Sequence, residues 1–262
     1  MASSPWCSSI AICPTENYVV LGFENATVRF FDTTDAQRPR EDRLHIRDHV
    51  TCVDCPTVDT LSFSHDGLGL LASTRNLKNG YIHIYQWRFP FLEFNEVWPC
   101  RYRVPLHEAG DNGVTSALLR SSHRGGEELV CITTWTQSGV PMLFQPNSGQ
   151  QTKIQNDTSG RGRLGNRIQC AVFSPSGTKL ALVNDKGHLY QVSNPMSTPL
   201  EIQKLSDSKG FTGKSDAYAM SFAKLSDEDV ILLAWADSQK GTGFIKKIPI
   251  SSAVSLPIPE IF

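Results

Sequence analysis

Two apolar registers recur in phase along this chain, about fifty residues apart, and that periodicity constrains the fold more than any other feature. The first register is a short β-type run ending in a small turn: Ser9–Ile12, Thr60–Phe63, Ser116–Leu119, Cys170–Phe173 and Tyr218–Phe222. With Ile12, Phe63, Leu119, Phe173 and Phe222 as equivalents, the steps are 51, 56, 54 and 49 residues. A second apolar run follows each: Tyr18–Leu21, Leu68–Ala72, Leu129–Ile132, Leu180–Val183 and Val230–Leu233. A third comes after a turn, usually near a glycine, as in Thr27–Phe31, Gly80–Tyr85, Gly139–Phe144, Gly187–Val192 and Gly243–Ile248.

In Tyr81–Tyr85, Ile82 and Ile84 fall on one face and Tyr81, His83 and Tyr85 on the other, the period of a strand. The second runs are almost continuously apolar, as strands covered on both faces are. A weaker fourth strand fits at Arg43–Ile46, Leu92–Val97, Gln151–Gln155 and Leu200–Leu205. No stretch has sustained 3.6 periodicity with helix caps. Four short strands repeated at this spacing predict an all-β propeller built as a single domain over 1–262. Its blades run approximately over 6–50, 51–105, 106–160, 161–210 and 211–257, before a short C-terminal tail.

Val19–Asp32 resembles the strand–turn–strand consensus of the WD40 repeat, with Phe31-Asp32 in place of Trp-Asp. Phe63-Ser-His-Asp-Gly67 and Phe173-Ser-Pro-Ser-Gly177 resemble that family's Phe-Ser-Pro-Asp-Gly hairpin. The resemblance covers about residues 6–250, and its divergent style is similar to fungal WD40-like proteins of unknown function. It implies a propeller and names no activity. No repeat carries the family's Gly-His dipeptide or ends in Trp-Asp, so the buried His–Asp–Ser–Trp network is not carried over. Five legible repeats, where seven blades are usual in that family, leave three forms open. They are a five-bladed ring, a ring with a partial blade from the termini, and a ring completed by a partner or a longer parent protein. The tail Ala253–Phe262 is β-prone between its prolines and is a candidate edge strand.

Charge narrows the function classes. With 25 basic and 26 acidic residues the net charge is −1, without the basic excess expected of a nucleic-acid or anionic-membrane coat. The longest strongly apolar run, Val230–Ala236, is far short of the ~18 residues of a spanning helix. The N-terminus lacks the basic start and apolar core of a signal peptide, and no lipidation signal is visible. Seven scattered cysteines do not read as a disulfide framework. Together these features predict a cytoplasmic protein, with the nucleus open. The sequons at Asn25 and Asn156 are then irrelevant.

His45, His49, Cys52 and Cys55 form the sharpest metal candidate, since zinc takes imidazole and thiolate ligands. The plainer reading is preferred: His45 belongs to an outer strand, and the two cysteines, of opposite strand parity, belong to the entry of the next blade. No metal and no cofactor are therefore expected. Lys209–Ser215 ends like a phosphate loop, but Ser208 stands where that motif needs glycine, and a strand rather than a helix follows. Ser176–Lys179 and Ser221–Lys224 match Ser-x-x-Lys inside a hairpin and a strand, and seven histidines share no register. No catalytic residue is nominated.

Partner-binding candidates lie in turns. Arg161, Arg163 and Arg167 crowd a glycine-rich loop, suited to phosphate or an acidic peptide. Base-stacking aromatics beside it are absent, so nucleic acid is not expected. The aromatic segment Tyr85–Phe94 divides between core and interface, with Trp87 assigned to the core. Trp135, Gln137, Arg75, Lys78, Asn184 and Lys186 are nominated because in WD40 proteins such turns rim the ligand-binding face. The reading is a non-catalytic scaffold presenting blade-connecting loops to a protein or peptide of unknown identity, with no nucleic acid and no membrane, its oligomeric state open. The alternative is an incomplete propeller that completes a larger assembly by edge-strand pairing. A propeller enzyme ranks below both.

Overall fold

The computed structural model describes residues 5–34, 40–45, 57–76, 81–88, 100–105, 114–120, 128–134, 141–145, 148–154, 164, 168–197, 200–205, 217–225, 228–237 and 241–250. Among these there is no helix, and the strands form five antiparallel sheets, each ordered as the chain runs. The first sheet holds β1 (Cys7–Ile12), β2 (Tyr18–Phe23), β3 (Thr27–Asp32) and β4 (Arg40–His45). The second holds β5 (Val58–Phe63), β6 (Gly69–Asn76), β7 (Tyr81–Arg88) and β8 (Cys100–Pro105). The third holds β9 (Val114–Arg120), β10 (Leu129–Thr134), β11 (Met142–Phe144) and β12 (Gln151–Lys153). The fourth holds β13 (Ile168–Phe173), β14 (Lys179–Asn184), β15 (Leu189–Ser193) and β16 (Glu201–Lys204). The fifth has three strands among the described residues: β17 (Ala217–Leu225), β18 (Glu228–Asp237) and β19 (Thr242–Pro249).

The equivalence read from the repeats holds at the level of pairing. Ile12, Phe63, Leu119, Phe173 and Phe222 lie opposite Val19, Leu70, Val130, Leu180 and Ile231. The hairpins after Phe63 and Phe173 also close alike. Ser64 N–H bonds to the Gly69 carbonyl and Ser174 N–H to the Lys179 carbonyl, while both serine hydroxyls accept from the same backbone amides. Gly67 and Gly177, at φ +70° and +69°, supply the left-handed residue that such a turn needs. One strand position differs from the expectation. The second sheet's outer strand is Cys100–Pro105, whereas Leu92–Val97 lies outside the described residues. The reason is register: β7 pairs with β8 from Tyr81 opposite Pro105 to Tyr85 opposite Cys100.

Strand alternation gives each sheet two faces, and successive sheets press one on the next. We call the face toward the next sheet trailing and the face toward the previous sheet leading. Ala11, Val20, Val28 and Phe30 trail from the first sheet onto Leu61, Phe63, Leu70, Ala72 and Tyr85 of the second. Leu71 and Ile84 then trail onto Ala117, Leu119, Val130, Ile132 and Met142 of the third. Leu129, Cys131 and Leu143 meet Ala171, Leu180, Leu182, Tyr190 and Val192, and Ala181, Val183 and Leu189 meet Ile231 and Leu233. Among the described residues the core is therefore four seams between neighbouring sheets. The first strands β1, β5, β9, β13 and β17 adjoin in that order, and β1 and β17 make no extended contact among the described residues.

Candidate interaction site

One irregularity repeats at the same place. A one-residue register shift falls in the first strand of the first four sheets, leaving Ser8, Asp59, Thr115 and Gln169 as the extra residue. Each is a β-bulge, which bends the strand and re-aims the side chain. The two hydroxyl-bearing bulge residues peg one sheet to the next. Ser8 Oγ lies 2.8 Å from the Val58 carbonyl, and Thr115 Oγ1 lies 2.8 Å from the Ile168 carbonyl. Ser9 donates to Val58 at 3.0 Å, Ser62 to the Ala117 carbonyl, and Ser116 Oγ accepts from Ala171 N–H. These hydroxyls thus have a structural occupation.

In an antiparallel meander the bulged start of strand one, the turn between strands two and three, and the end of strand four share one end of the sheet. Two of the turn candidates, Arg75 and Lys186, belong to this end. Arg75 is in β6, opposite Ile82, one residue before the strand's last, Asn76. Lys186 is exposed in the turn between β14 and β15. Lys78, Trp135, Gln137, Arg161, Arg163 and Arg167 lie outside the described residues.

Asn184 is not the surface anchor expected of it. It is fully buried and organises the turn: its Oδ1 accepts from Lys186 N–H at 3.0 Å and His188 N–H at 2.8 Å. Its Nδ2 donates to the carbonyl of Leu164 at 2.9 Å. Leu164 is itself buried in the third seam. Leu164 is thereby fastened to the turn carrying Lys186. The sequence carries a signal for this: an asparagine two residues before a lysine in a turn closing on glycine, a residue type that bonds its own backbone two residues on. A leucine among arginines and glycines is the other half of it.

Of the zinc candidate, His45 is the last residue of β4, and His49, Cys52 and Cys55 lie outside the described residues. Among the described residues no group of three or more His, Cys, Asp or Glu is placed to hold a metal ion. Nor, among them, is any helix long and apolar enough to cross a membrane.

A family model described as Domain of unknown function (DUF7099) matches residues 1–249. The chain belongs to that family. No curated protein matches it.

The DUF7099 fold treats its cysteines unequally. Cys7 is exposed, whereas Cys131 is fully buried in the third seam, and burial pushes its thiol up to about 12. Burial also raises Cys170. Thiolate is the reacting species, so a group held protonated is inert. At pH 8 we expect N-ethylmaleimide to label Cys7 within minutes and to leave Cys131 unmodified until the chain is unfolded in urea. Peptide mapping by mass spectrometry reads both, and equal labelling of the two in the folded chain would contradict the seam's packing.

Proposed function

We propose that this DUF7099 chain is a non-catalytic interaction scaffold of the WD40-like propeller type, acting in the cytoplasm or nucleus on a protein or peptide partner. The reading is supported by five antiparallel sheets in succession with their first strands adjoining, the arrangement that would make each sheet a blade. The observation that carries it is the bond from Asn184 to the Leu164 carbonyl. It ties Leu164, which lies in sequence between Arg163 and Arg167, to the turn bearing exposed Lys186. A basic segment tethered at one residue loses less conformational freedom on binding than an untethered one. Arginine forks suit carboxylate-bearing side chains. Trp135, Gln137, Arg75 and Lys78 are proposed to extend the same rim.

Affinity capture with the 262-residue chain tests this, beside a variant carrying Trp135→Ala, Lys186→Ala and alanine at Arg161, Arg163 and Arg167. Partners captured by the parent chain should drop at least tenfold with the variant, while its thermal midpoint stays unchanged. Equal capture by both would remove this rim as the binding face.

A further inference from the structure

The two end sheets expose faces whose residues belong, by register, beneath another sheet. Ile10 lies opposite Leu21 and occupies the position held by Leu61, Ala117 and Ala171 in the next three sheets. Those three are buried against the preceding sheet, yet Ile10 is 60% exposed and its neighbour Ile12 is 70% exposed. At the other end, Ile245 pairs with Ala234 as Val28 pairs with Gly22, Ile84 with Ser73 and Leu189 with Val183. Val28, Ile84 and Leu189 are fully buried against the following sheet, whereas Ile245 is 78% exposed. A large aliphatic side chain left at three-quarters exposure gains nothing from the hydrophobic effect that buries its equivalents.

We infer that the leading face of the first sheet and the trailing face of the fifth join between two copies of this chain, head to tail, repeating the seam found four times within it. Among the described residues every internal seam sets a trailing face on a leading face, and the two faces left over are one of each kind. Ile10, Ile12, Val19 and Leu21 line the leading face; Leu232, Ala234 and Ile245 line the trailing one, beside the Lys247–Glu228 ion pair. A contact between unlike faces is heterologous, so it generates either a closed ring of copies or an open chain.

Sedimentation velocity of the 262-residue chain over a hundredfold concentration range provides the test. The parent chain should pass from monomer to dimer and larger species as concentration rises. Ile10→Glu and Ile245→Glu should each sediment as monomers, because each spoils one member of the pair. Mixed in equal amounts they should form a heterodimer that grows no further, since one sound leading face and one sound trailing face remain between them. Both substitutions are at exposed positions, and circular dichroism of each variant checks that it is folded. If either variant is misfolded, the serine substitution at the same position replaces it. A parent chain that stays monomeric throughout would overturn the inference, as it would if the two faces met within one chain. Persistent self-association of either variant would also overturn it, because like faces would then be pairing.

Discussion

Leu71→Ala should lower the free energy of unfolding by about 2–5 kcal/mol, the range for truncating a fully buried leucine whose site cannot collapse. Leu71 is completely enclosed where the second sheet meets the third, against Ala117, Leu119, Val130 and Ile132. Its removal leaves a void between two sheets that their own backbone hydrogen bonds hold rigid. Ile10→Ala, measured at a concentration where the chain is monomeric, should shift stability by no more than about 0.5 kcal/mol, as surface changes do. The contrast is informative because Ile10 has the same register as Leu61, buried in the first seam. Urea unfolding followed by tryptophan fluorescence measures both variants. Similar costs for the two would mean that the seams are not where the stability resides.

Gly22→Val should be as damaging by the opposite route. A Cβ at Gly22 would sit 2.6 Å from Val58 Cγ1 and 2.9 Å from Val58 Cβ, with Ser9 Oγ nearer still. Val58 is a short side chain on β5 of the next sheet, so relief from it requires the first two sheets to part. Parting them breaks the bonds from Ser8 and Ser9 to the Val58 carbonyl as well. Overpacking of this kind typically costs about 1–3 kcal/mol, and the lost bonds bring the expectation to about 3 kcal/mol. Amide exchange locates the damage: β1, β2 and β5 should lose protection while β13–β15 keep theirs. Uniform loss across all five sheets would show that the seams do not open independently.

The repeat was legible because burial on both faces writes itself as unbroken apolar runs, such as Leu180–Val183 and Val230–Leu233, and because the glycine of a hairpin is obligatory. The third strands were legible from alternation. What escaped were features decided by neighbours. The bulges at Ser8, Asp59, Thr115 and Gln169 add a residue without changing the apolar pattern, so nothing in the alternation marks them. Asn184 read as a surface polar residue because a turn asparagine that faces inward has the same local sequence as one that faces out; its partner, Leu164, is twenty residues away. The outer strand at Cys100–Pro105 escaped because Leu92–Val97 has the more regular β pattern.

The side-chain hydrogen bonds that peg neighbouring first strands span 49 residues from Ser9 to Val58, 50 from Ser8, 53 from Thr115 to Ile168 and 55 from Ser62 to Ala117. Each joins a sheet to its immediate successor. A chain emerging from the ribosome can therefore complete each junction as soon as the following repeat is made, with no early segment held exposed until the last residues arrive. Synthesis and folding proceed in the same direction and at the same step size, and the first sheet is sheltered on one side while the fifth is still unwritten.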